Sequence, residues 1–213
     1  MKRGTLILCH GWAFTPLFWD DFLPFISKDW EIIWWDLGYR DGTVSMPLPK
    51  VLEAPIVGIG HSLGFAKLVL SRIFFTQLIG MNAFARLDIP LQKVEQMEVA
   101  LNHNSLRLLT QFYRQCGPAK GQIQWPLSTD GLERLKEDLA LLKTIDCRQE
   151  LAQNQSFVSV MLNDQDPIVP SIPTKLQFES LGGHAKVHTM IAPHHGVGMD
   201  QWMVLRDYLN VIE

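Results

Sequence analysis

A serine, an aspartate and a histidine occur in this sequence in positions that suit nucleophilic catalysis. Ser62 stands in the segment Gly60–Gly64, which reads Gly-His-Ser-Leu-Gly, between an apolar run and a stretch with helical spacing. This strand-turn-helix context predicts a tight, strained turn that projects the serine hydroxyl beyond the edge of a sheet. A serine alcohol is a weak nucleophile, so the same chemistry needs a base and an acid that orients the base.

Two later segments of the chain offer that base and that acid. His195 stands in Pro193–Gly196 and Asp166 stands in Asn163–Pro170, and each segment follows an apolar run. The chain order serine, aspartate, histidine is one that serine hydrolases use. We therefore expect Ser62 to be the nucleophile, His195 its base and Asp166 the group that orients the histidine.

Each of these two choices has a neighbour of the same residue type. Asp164 is the alternative to Asp166, which we prefer because it lies deeper in its loop and can turn back toward the histidine. His194 is the alternative to His195, which we prefer because Gly196 leaves space for its approach. Position along the chain leaves both alternatives open.

A third motif supplies candidate donors for a developing negative charge. The first apolar run ends at His10-Gly11-Trp12, where a turn can aim the backbone N–H of Trp12 into the same crevice as the N–H of Leu63. Two such donors would form an oxyanion hole, each worth about 3 kcal/mol of barrier in a site that excludes water. The remaining histidines suggest no ligand set, so we expect neither a metal nor a cofactor.

The elements that must position these residues are short apolar runs, each followed by Gly, Pro, Asn or Asp. They predict strands that are apolar on both sides, as in a parallel sheet covered on both faces. The runs are Thr5–His10, Glu31–Leu37, Pro55–His61, Gln77–Phe84, Phe157–Asn163 and Lys186–Pro193. A helix is predicted over Leu63–Phe75. The expected fold class is α/β, a mostly parallel sheet of about six strands with helices on both faces and functional residues at the carboxyl ends of the strands.

Residues 85–150 interrupt this alternation of strand and helix. Their apolar residues recur at spacings of three and four over Leu91–Phe112 and again over Leu132–Leu142, which predicts two helical stretches. Asp130 and Glu133 have the spacing of a capping box at the start of the second stretch. We interpret residues 85–150 as a small helical cap inserted into the main domain.

The composition is typical of a soluble, compact domain. The chain has 213 residues, of which 47% are hydrophobic and 19% charged, and we expect one domain over residues 1–213. The 19 basic and 22 acidic residues give a net charge of −3, which provides no broad electrostatic footprint for nucleic acid or anionic lipid. No uncharged apolar stretch reaches the roughly 18 residues of a membrane span. We expect a monomer that binds neither nucleic acid nor a membrane.

The cysteines give information about the compartment. Cys9, Cys116 and Cys147 are odd in number, lie far apart and form no Cys-x-x-Cys pair. They suggest neither a disulfide framework nor a zinc site. We therefore expect a cytoplasmic protein, because free thiols persist in a reducing compartment.

Taken together, these motifs resemble the α/β-hydrolase superfamily and, more narrowly, the BioH family of pimeloyl-acyl-carrier-protein methyl ester esterases of biotin synthesis. The motifs at superfamily level are Leu8–Trp12, Gly60–Gly64, Asp166–Pro170 and His195. The segment Leu142–Gln149 is similar to the family's connection from cap to core, and the resemblance covers nearly the whole chain.

The resemblance implies a serine carboxylesterase that cleaves the methyl ester of a pimeloyl chain carried by acyl carrier protein. Ser62, Asp166 and His195 would form its triad, and the backbone of Trp12 and Leu63 would form its oxyanion hole. The Trp12 side chain would also contact the substrate. No cofactor is implied.

The resemblance also implies contacts made by the cap, where the family has an aromatic residue along the acyl tunnel and arginines that meet the acidic carrier. The matching candidates are Phe112 and Arg107, with Arg114 nearby. Residues 99–129 contain three cations, Arg107, Arg114 and Lys120, and no carboxylate. A local positive patch of this kind suits an acidic partner, and scattered solvated cations are the alternative interpretation.

Two other functions share most of these features. A general carboxylesterase or thioesterase for small acyl groups would use the same triad without a carrier protein. A non-catalytic binding protein could have the same fold and hold a small ligand without turning it over. A complete triad favours an enzyme.

Overall fold

The computed structural model describes residues 3–46, 52–71, 73–153 and 156–212. In this part of the chain it contains one sheet of six strands, and every neighbouring pair is parallel. The strands are β1 (Gly4–Cys9), β2 (Trp30–Trp35), β3 (Ile56–His61), β4 (Gln77–Met81), β5 (Phe157–Asn163) and β6 (Ala185–Met190). All six strands predicted from the sequence are present.

The described ranges also contain six α-helices. They are α1 (Leu63–Val69), α2 (Leu91–Cys116), α3 (Thr129–Leu141), α4 (Arg148–Gln153), α5 (Ser171–Glu179) and α6 (Met199–Asn210). From β3 onward strand and α-helix alternate, except that α2, α3 and α4 follow one another between β4 and β5. None of the helices in the described ranges is both long and apolar enough to cross a membrane.

The chain changes its direction of travel across the sheet at β1. The strand order is β2-β1-β3-β4-β5-β6, so the chain first moves outward from β1 to β2 and then returns to the other side of β1. Cys9 lies opposite Gly60 at the carboxyl ends of β1 and β3. In open α/β sheets, ligands bind in the crevice at such a switch point. The loops that leave this crevice carry Trp12 after β1 and Ser62 after β3.

Both faces of the central strands are covered. All six residues of β1 and all five residues of β4 are buried, which a strand exposed on one face could not achieve because its side chains alternate between faces. Phe65 of α1 contacts Phe178 of α5 with ring centroids 5.8 Å apart. Trp202 of α6 stacks on Phe22 with ring centroids 5.2 Å apart. Aromatic contacts of this kind hold the helices on the sheet.

Helix α1 is shorter than the sequence predicts. It ends at Val69 rather than at Phe75. The Ser71 hydroxyl donates a 2.6 Å hydrogen bond to the carbonyl of Leu68, which closes the last turn. Phe75 lies over Gly58 of β3, where its ring occupies the place that a Cβ would take. The apolar residue that extended the helical pattern therefore packs on the sheet from a loop.

Strand β4 is also shorter than predicted. It ends at Met81 rather than at Phe84, because Asn82 adopts a left-handed backbone conformation with φ of 46°. The Asn82 N–H donates a 2.8 Å hydrogen bond to the carbonyl of Met161 on β5. This turn leaves the Asn82 side chain at the carboxyl end of the sheet, buried beside the loop that carries His195.

The first helical stretch between β4 and β5 is a single bent helix. Within α2 the backbone of Asn104 leaves helical geometry, with φ of −156° and ψ of 78°. The Asn104 side-chain oxygen accepts a 3.0 Å hydrogen bond from the N–H of Arg107. Asparagine is a favoured N-cap residue, so this side chain stabilises the start of the second half of the helix.

The N-cap of the second helical stretch lies two residues before the start of the predicted capping box. Ser128 is the N-cap of α3, and its hydroxyl oxygen accepts a 2.9 Å hydrogen bond from the N–H of Gly131. The capping box predicted at Asp130 and Glu133 is therefore wrong. Asp130 lies in the first turn of the helix, and Glu133 pairs with Lys136 at 2.7 Å.

Helix α3 is fixed to the sheet domain by a buried polar network. Asp138 of α3 accepts a 2.6 Å hydrogen bond from the Tyr39 hydroxyl and forms a 2.6 Å ion pair with Lys67 of α1. Burial and the neighbouring Asp138 raise the pKa of Tyr39 well above its ordinary value, so the phenol stays a donor. These two contacts join α3 to the residues of the sheet domain. The assignment of residues 85–150 as a separate insertion stays a prediction.

Candidate active site

Ser62 lies in a strained turn between β3 and α1. Its φ of 52° and ψ of −121° are rare for a residue with a side chain. The start of α1 lies against both β3 and the end of β1. A Cβ on Gly60 of β3 would lie 2.3 Å from the Phe65 Cα, and one on Gly64 of α1 would lie 2.4 Å from the carbonyl oxygen of Cys9 in β1. Both positions therefore require glycine. The strain holds the hydroxyl at the carboxyl edge of the sheet, as the sequence motif predicts.

His195 and Asp166 form a buried pair. Nδ1 of His195 donates a 2.7 Å hydrogen bond to Oδ2 of Asp166, and their side chains are 1% and 2% exposed. The other carboxylate oxygen accepts hydrogen bonds of 2.8 and 2.9 Å from the N–H groups of Ile168 and Val169. These bonds fix the carboxylate. The carboxylate in turn fixes the imidazole tautomer and leaves Nε2 free to act as a base.

Asp164 and His194, the alternatives that the sequence left open, do not take part in this pair. Asp164 is exposed, and its Oδ1 accepts a 3.2 Å hydrogen bond from the N–H of Ala192. The His194 ring packs against Gly117 at the end of α2. The pair that the structure brings together is therefore Asp166 with His195.

Ser62 and His195 line one small cavity, together with Trp12 and Leu63. The cavity has a volume of about 40 Å³. This is far below the roughly 300 Å³ at which ligand pockets begin. Within the described residues, Ser62 Oγ and His195 Nε2 are not hydrogen bonded to each other. Such catalytic contacts often tighten only when substrate is bound.

The two residues whose N–H groups are candidate oxyanion donors, Trp12 and Leu63, both line this cavity. Leu63 is the first residue of α1, where the helix leaves its N–H without an intrahelical acceptor. Among the described residues, the Trp12 N–H donates to no protein acceptor. The turn before Trp12 is shaped by His10, whose Nδ1 donates to the Gly11 carbonyl at 2.9 Å and whose Nε2 accepts from the N–H of Leu37 at 3.1 Å.

The side chains of Trp12 and Phe112 form one wall of this cavity. Their rings meet edge to face with centroids 5.0 Å apart. The indole N–H of Trp12 donates a 2.9 Å hydrogen bond to the carbonyl of Leu135 on α3. Both aromatic residues predicted to contact substrate are therefore beside Ser62.

A second, larger cavity lies outside this wall. It has a volume of about 350 Å³ and lies between the two halves of α2 and the loop after β5. Four apolar residues line both cavities: Ile89, Met97, Phe112 and Ile168. A displacement of this layer would join the two spaces.

Arg107 and Arg114 line neither cavity. Both are exposed on α2, and neither forms an ion pair within the described part of the chain. Lys120 differs from them because it forms a 2.6 Å ion pair with Asp21. The positive patch noted in the sequence is thus reduced to the two arginines.

The sequence did not point to Asn82 and Asn163, which lie at the carboxyl ends of β4 and β5 and contact the loop that carries His195. The sequence signal that could have pointed to them is an asparagine at the end of an apolar run.

His61 is also buried beside the loop that carries His195. Burial, and then the neighbouring His195, hold the pKa of His61 well below its ordinary value.

No cluster of three or more His, Cys, Asp or Glu that could hold a metal ion occurs in the described ranges.

Comparison with known proteins identifies the fold. No protein-family model and no curated protein matches the chain. Among solved structures, an esterase from Exiguobacterium antarcticum is similar with a TM-score of 0.77 and 15% identity, covering 98% of this chain and 91% of its own. A bromoperoxidase from Bacillus anthracis is similar with a TM-score of 0.77 and 15% identity, covering 97% and 90%. A lipase-esterase related protein from Clostridium acetobutylicum has a TM-score of 0.72 and 15% identity, covering 97% and 93%. The chain has the α/β-hydrolase fold.

Proposed function

We propose that the protein is a serine hydrolase that cleaves carboxylic esters. The observation that carries this proposal is that His195, held by the buried Asp166, lines the same cavity as Ser62, and that Trp12 and Leu63 line it too. The esterases among its structural neighbours support the same reaction class.

The reaction follows from the placement of these groups. Ser62 Oγ attacks the ester carbonyl carbon while its proton passes to Nε2 of His195, and the N–H groups of Trp12 and Leu63 hold the oxyanion of the tetrahedral intermediate. The intermediate collapses, and the leaving alkoxide takes the proton from His195. Water then attacks the acyl-enzyme, His195 again accepts a proton and returns it to Ser62, and the carboxylic acid leaves. Asp166 holds the imidazole and stabilises its cation throughout.

The substrate we propose is the methyl ester of pimeloyl-acyl carrier protein. The motifs shared with the BioH family support it, as do the positions of Phe112 in the cavity wall and of Arg107 and Arg114 on the surface of α2. Unpaired arginines can steer an acidic carrier toward this face. The partner would then be an acyl carrier protein, and the reaction needs no cofactor.

The proposal is tested by turnover of pimeloyl-carrier methyl ester and of a free short-chain methyl ester, by the wild-type protein and by Ser62→Ala. We expect wild-type turnover of both, loss in the variant of about 10⁶-fold in kcat, and a higher kcat/KM for the carrier ester. Labelling of the wild-type protein, but not of Ser62→Ala, by a fluorophosphonate would identify the nucleophile independently of the substrate.

The outcomes separate the candidate functions. Turnover of the free ester alone would retain the mechanism and favour a general carboxylesterase or thioesterase. Neither turnover nor labelling would contradict the hydrolase proposal and favour a non-catalytic binding protein. Full activity of Ser62→Ala would contradict the assigned nucleophile.

A further inference from the structure

The carbonyl oxygens on either side of the catalytic histidine are held by buried side-chain amides. Nδ2 of Asn82 donates to the carbonyl of His195 at 2.8 Å and to that of Gly196 at 3.1 Å. Nδ2 of Asn163 donates to the carbonyl of His194 at 2.6 Å and to that of Gly196 at 3.2 Å. Asn82 is fully buried and Asn163 is 1% exposed. Three consecutive carbonyls are thus held by protein donors rather than by water.

A third donor reaches the same place from β3. Nε2 of His61 lies 3.0 Å from the carbonyl of His195. Because a carbonyl only accepts, His61 carries its proton on Nε2. Its ring is stacked on Phe18 with centroids 4.3 Å apart, so its orientation is fixed. The carbonyl of His195 therefore receives two hydrogen bonds, one from Asn82 and one from His61.

The N–H groups of the same loop are held from the opposite side. The N–H of His195 donates to the carbonyl of Gln115 at 3.0 Å, and the N–H of Gly196 donates to that of Cys116 at 3.0 Å. Both peptide units that flank the His195 Cα are therefore fixed through their N–H and C=O groups. The backbone from which the catalytic imidazole extends has little freedom to move.

The orientation of the Asn82 amide is itself determined. Its Oδ1 accepts a 2.9 Å hydrogen bond from the N–H of Asn163 and lies 3.5 Å from Nε2 of Gln201. The oxygen must face these donors, so Nδ2 must face the loop. The φ of 46° at Asn82, which asparagine tolerates better than most residues, aims the side chain there.

We propose that Asn82 is a positioning residue for ester hydrolysis, supported by His61 and Asn163, and that it acts by fixing the backbone of His195. This inference rests on the proposed function. None of the three side chains lines the cavity that contains Ser62, whereas His195 does. Their side chains therefore do not line the space next to Ser62, and their hydrogen bonds are made to the backbone of the loop that carries His195.

The reaction makes this positioning useful. Nε2 of His195 must take a proton from Ser62 and then deliver it to a different oxygen, so the ring must serve two positions without drifting. A misplacement of about 1 Å in a catalytic group can cost about 10²-fold in rate. A backbone fixed by buried hydrogen bonds provides this precision more reliably than a solvated loop.

The test replaces Asn82 by aspartate, which has the same shape but places an oxygen where Nδ2 stood. We expect kcat to fall by about 10²-fold. KM should stay within about twofold because no substrate contact is lost. The rate of fluorophosphonate labelling of Ser62 should fall with kcat. The matched control is Asn102→Asp, the same change at an exposed amide of α2 that bonds only the carbonyl of Glu98.

A second variant covers the case in which Asn82→Asp fails to fold. His61→Phe keeps the ring and removes one donor to His195, and we expect kcat to fall by about tenfold at unchanged KM. A folded Asn82→Asp protein with wild-type kcat would overturn the proposal, and so would a wild-type kcat for His61→Phe if the first variant does not fold. Absence of Ser62-dependent activity in the wild-type protein would overturn the proposed function as well, which distinguishes the two failures.

Discussion

The backbone N–H of His195 donates a 3.0 Å hydrogen bond to the carbonyl oxygen of Gln115, the penultimate residue of α2. A helix leaves its last carbonyls without intrahelical partners, and the loop after β6 satisfies two of them, at Gln115 and Cys116. The end of α2 is therefore part of the structure that holds His195, the proposed base.

Replacement of Asp166 by asparagine should abolish most activity with little loss of stability. The amide can still accept from Ile168 and Val169 through its oxygen, but its NH₂ group would face Nδ1 of His195 and favour the wrong tautomer. We expect kcat to fall by about 10⁴-fold. Steady-state kinetics on a free methyl ester measures this. Asp164→Asn is the control and should retain wild-type kcat; if that variant loses the activity instead, the assignment of the acid is wrong.

The protein should lose stability as the pH falls below about 6.5. His61 is fully buried, and burial, with the neighbouring His195 and His10, keeps its pKa well below the ordinary value. The unfolded chain protonates this histidine near pH 6.5, so below that pH the unfolded state binds more protons and the free energy of unfolding decreases.

His61→Phe isolates this contribution. Between pH 6.5 and 5 the free energy of unfolding of the wild-type protein should fall more steeply than that of the variant, and the difference in slope should approach about 1.4 kcal/mol per pH unit toward pH 5. Urea unfolding at several pH values measures both slopes. Parallel slopes would mean that His61 is protonated in the folded protein or does not titrate in this range.

Removal of the Asp138 carboxylate should destabilise the protein. In Asp138→Ala, Lys67 and the Tyr39 hydroxyl lose their shared partner in a mostly buried site. We expect a loss of about 3 kcal/mol, at the low end for a broken buried ion pair because Lys67 is partly exposed. Urea unfolding of the variant and the wild-type protein measures this difference in the free energy of unfolding. Glu137→Ala, which removes an exposed carboxylate paired with Arg134 on the same helix, should change stability by less than about 1 kcal/mol. An equal loss of stability in Asp138→Ala and Glu137→Ala would contradict the stabilising role of the Asp138 network.

Charge reversal at Arg107 and Arg114 should impair only a carrier-bound substrate. The two arginines lie on the surface of α2 and line neither cavity. We expect kcat/KM for the carrier-bound ester to fall by about tenfold at low salt, while that for the free ester stays within about twofold.

The control variant has the same change of net charge, but its two substitutions lie on helices other than α2. Lys175→Glu with Arg206→Glu, on α5 and α6, should leave both substrates unaffected. Equal turnover of the carrier ester by the arginine variant and the wild-type protein would argue against an acidic carrier and in favour of a free ester.

The sequence determined the strands and the order of the reactive residues. A strand buried on both faces must be apolar at nearly every position, so β1, β3 and β5 are recognisable as mostly apolar runs with few polar residues. The turn at Ser62 was visible because only glycine fits where β3 and α1 touch. These constraints act on short segments of the chain, so they can be recognised from the residues of each segment alone.

Only the tertiary structure decided between Asp164 and Asp166 and between His194 and His195. In each pair the two residues have the same type and similar neighbours, and what separates them is the direction in which a loop turns. For the histidines that direction depends on hydrogen bonds from Asn82, Asn163 and the end of α2, which are distant from them in the chain. For the aspartates it is seen in the bond of Asp166 to His195 and in that of Asp164 to the N–H of Ala192. Contacts between segments that are distant in the chain leave no pattern in either segment alone. Only the tertiary structure therefore shows the contacts that hold His195.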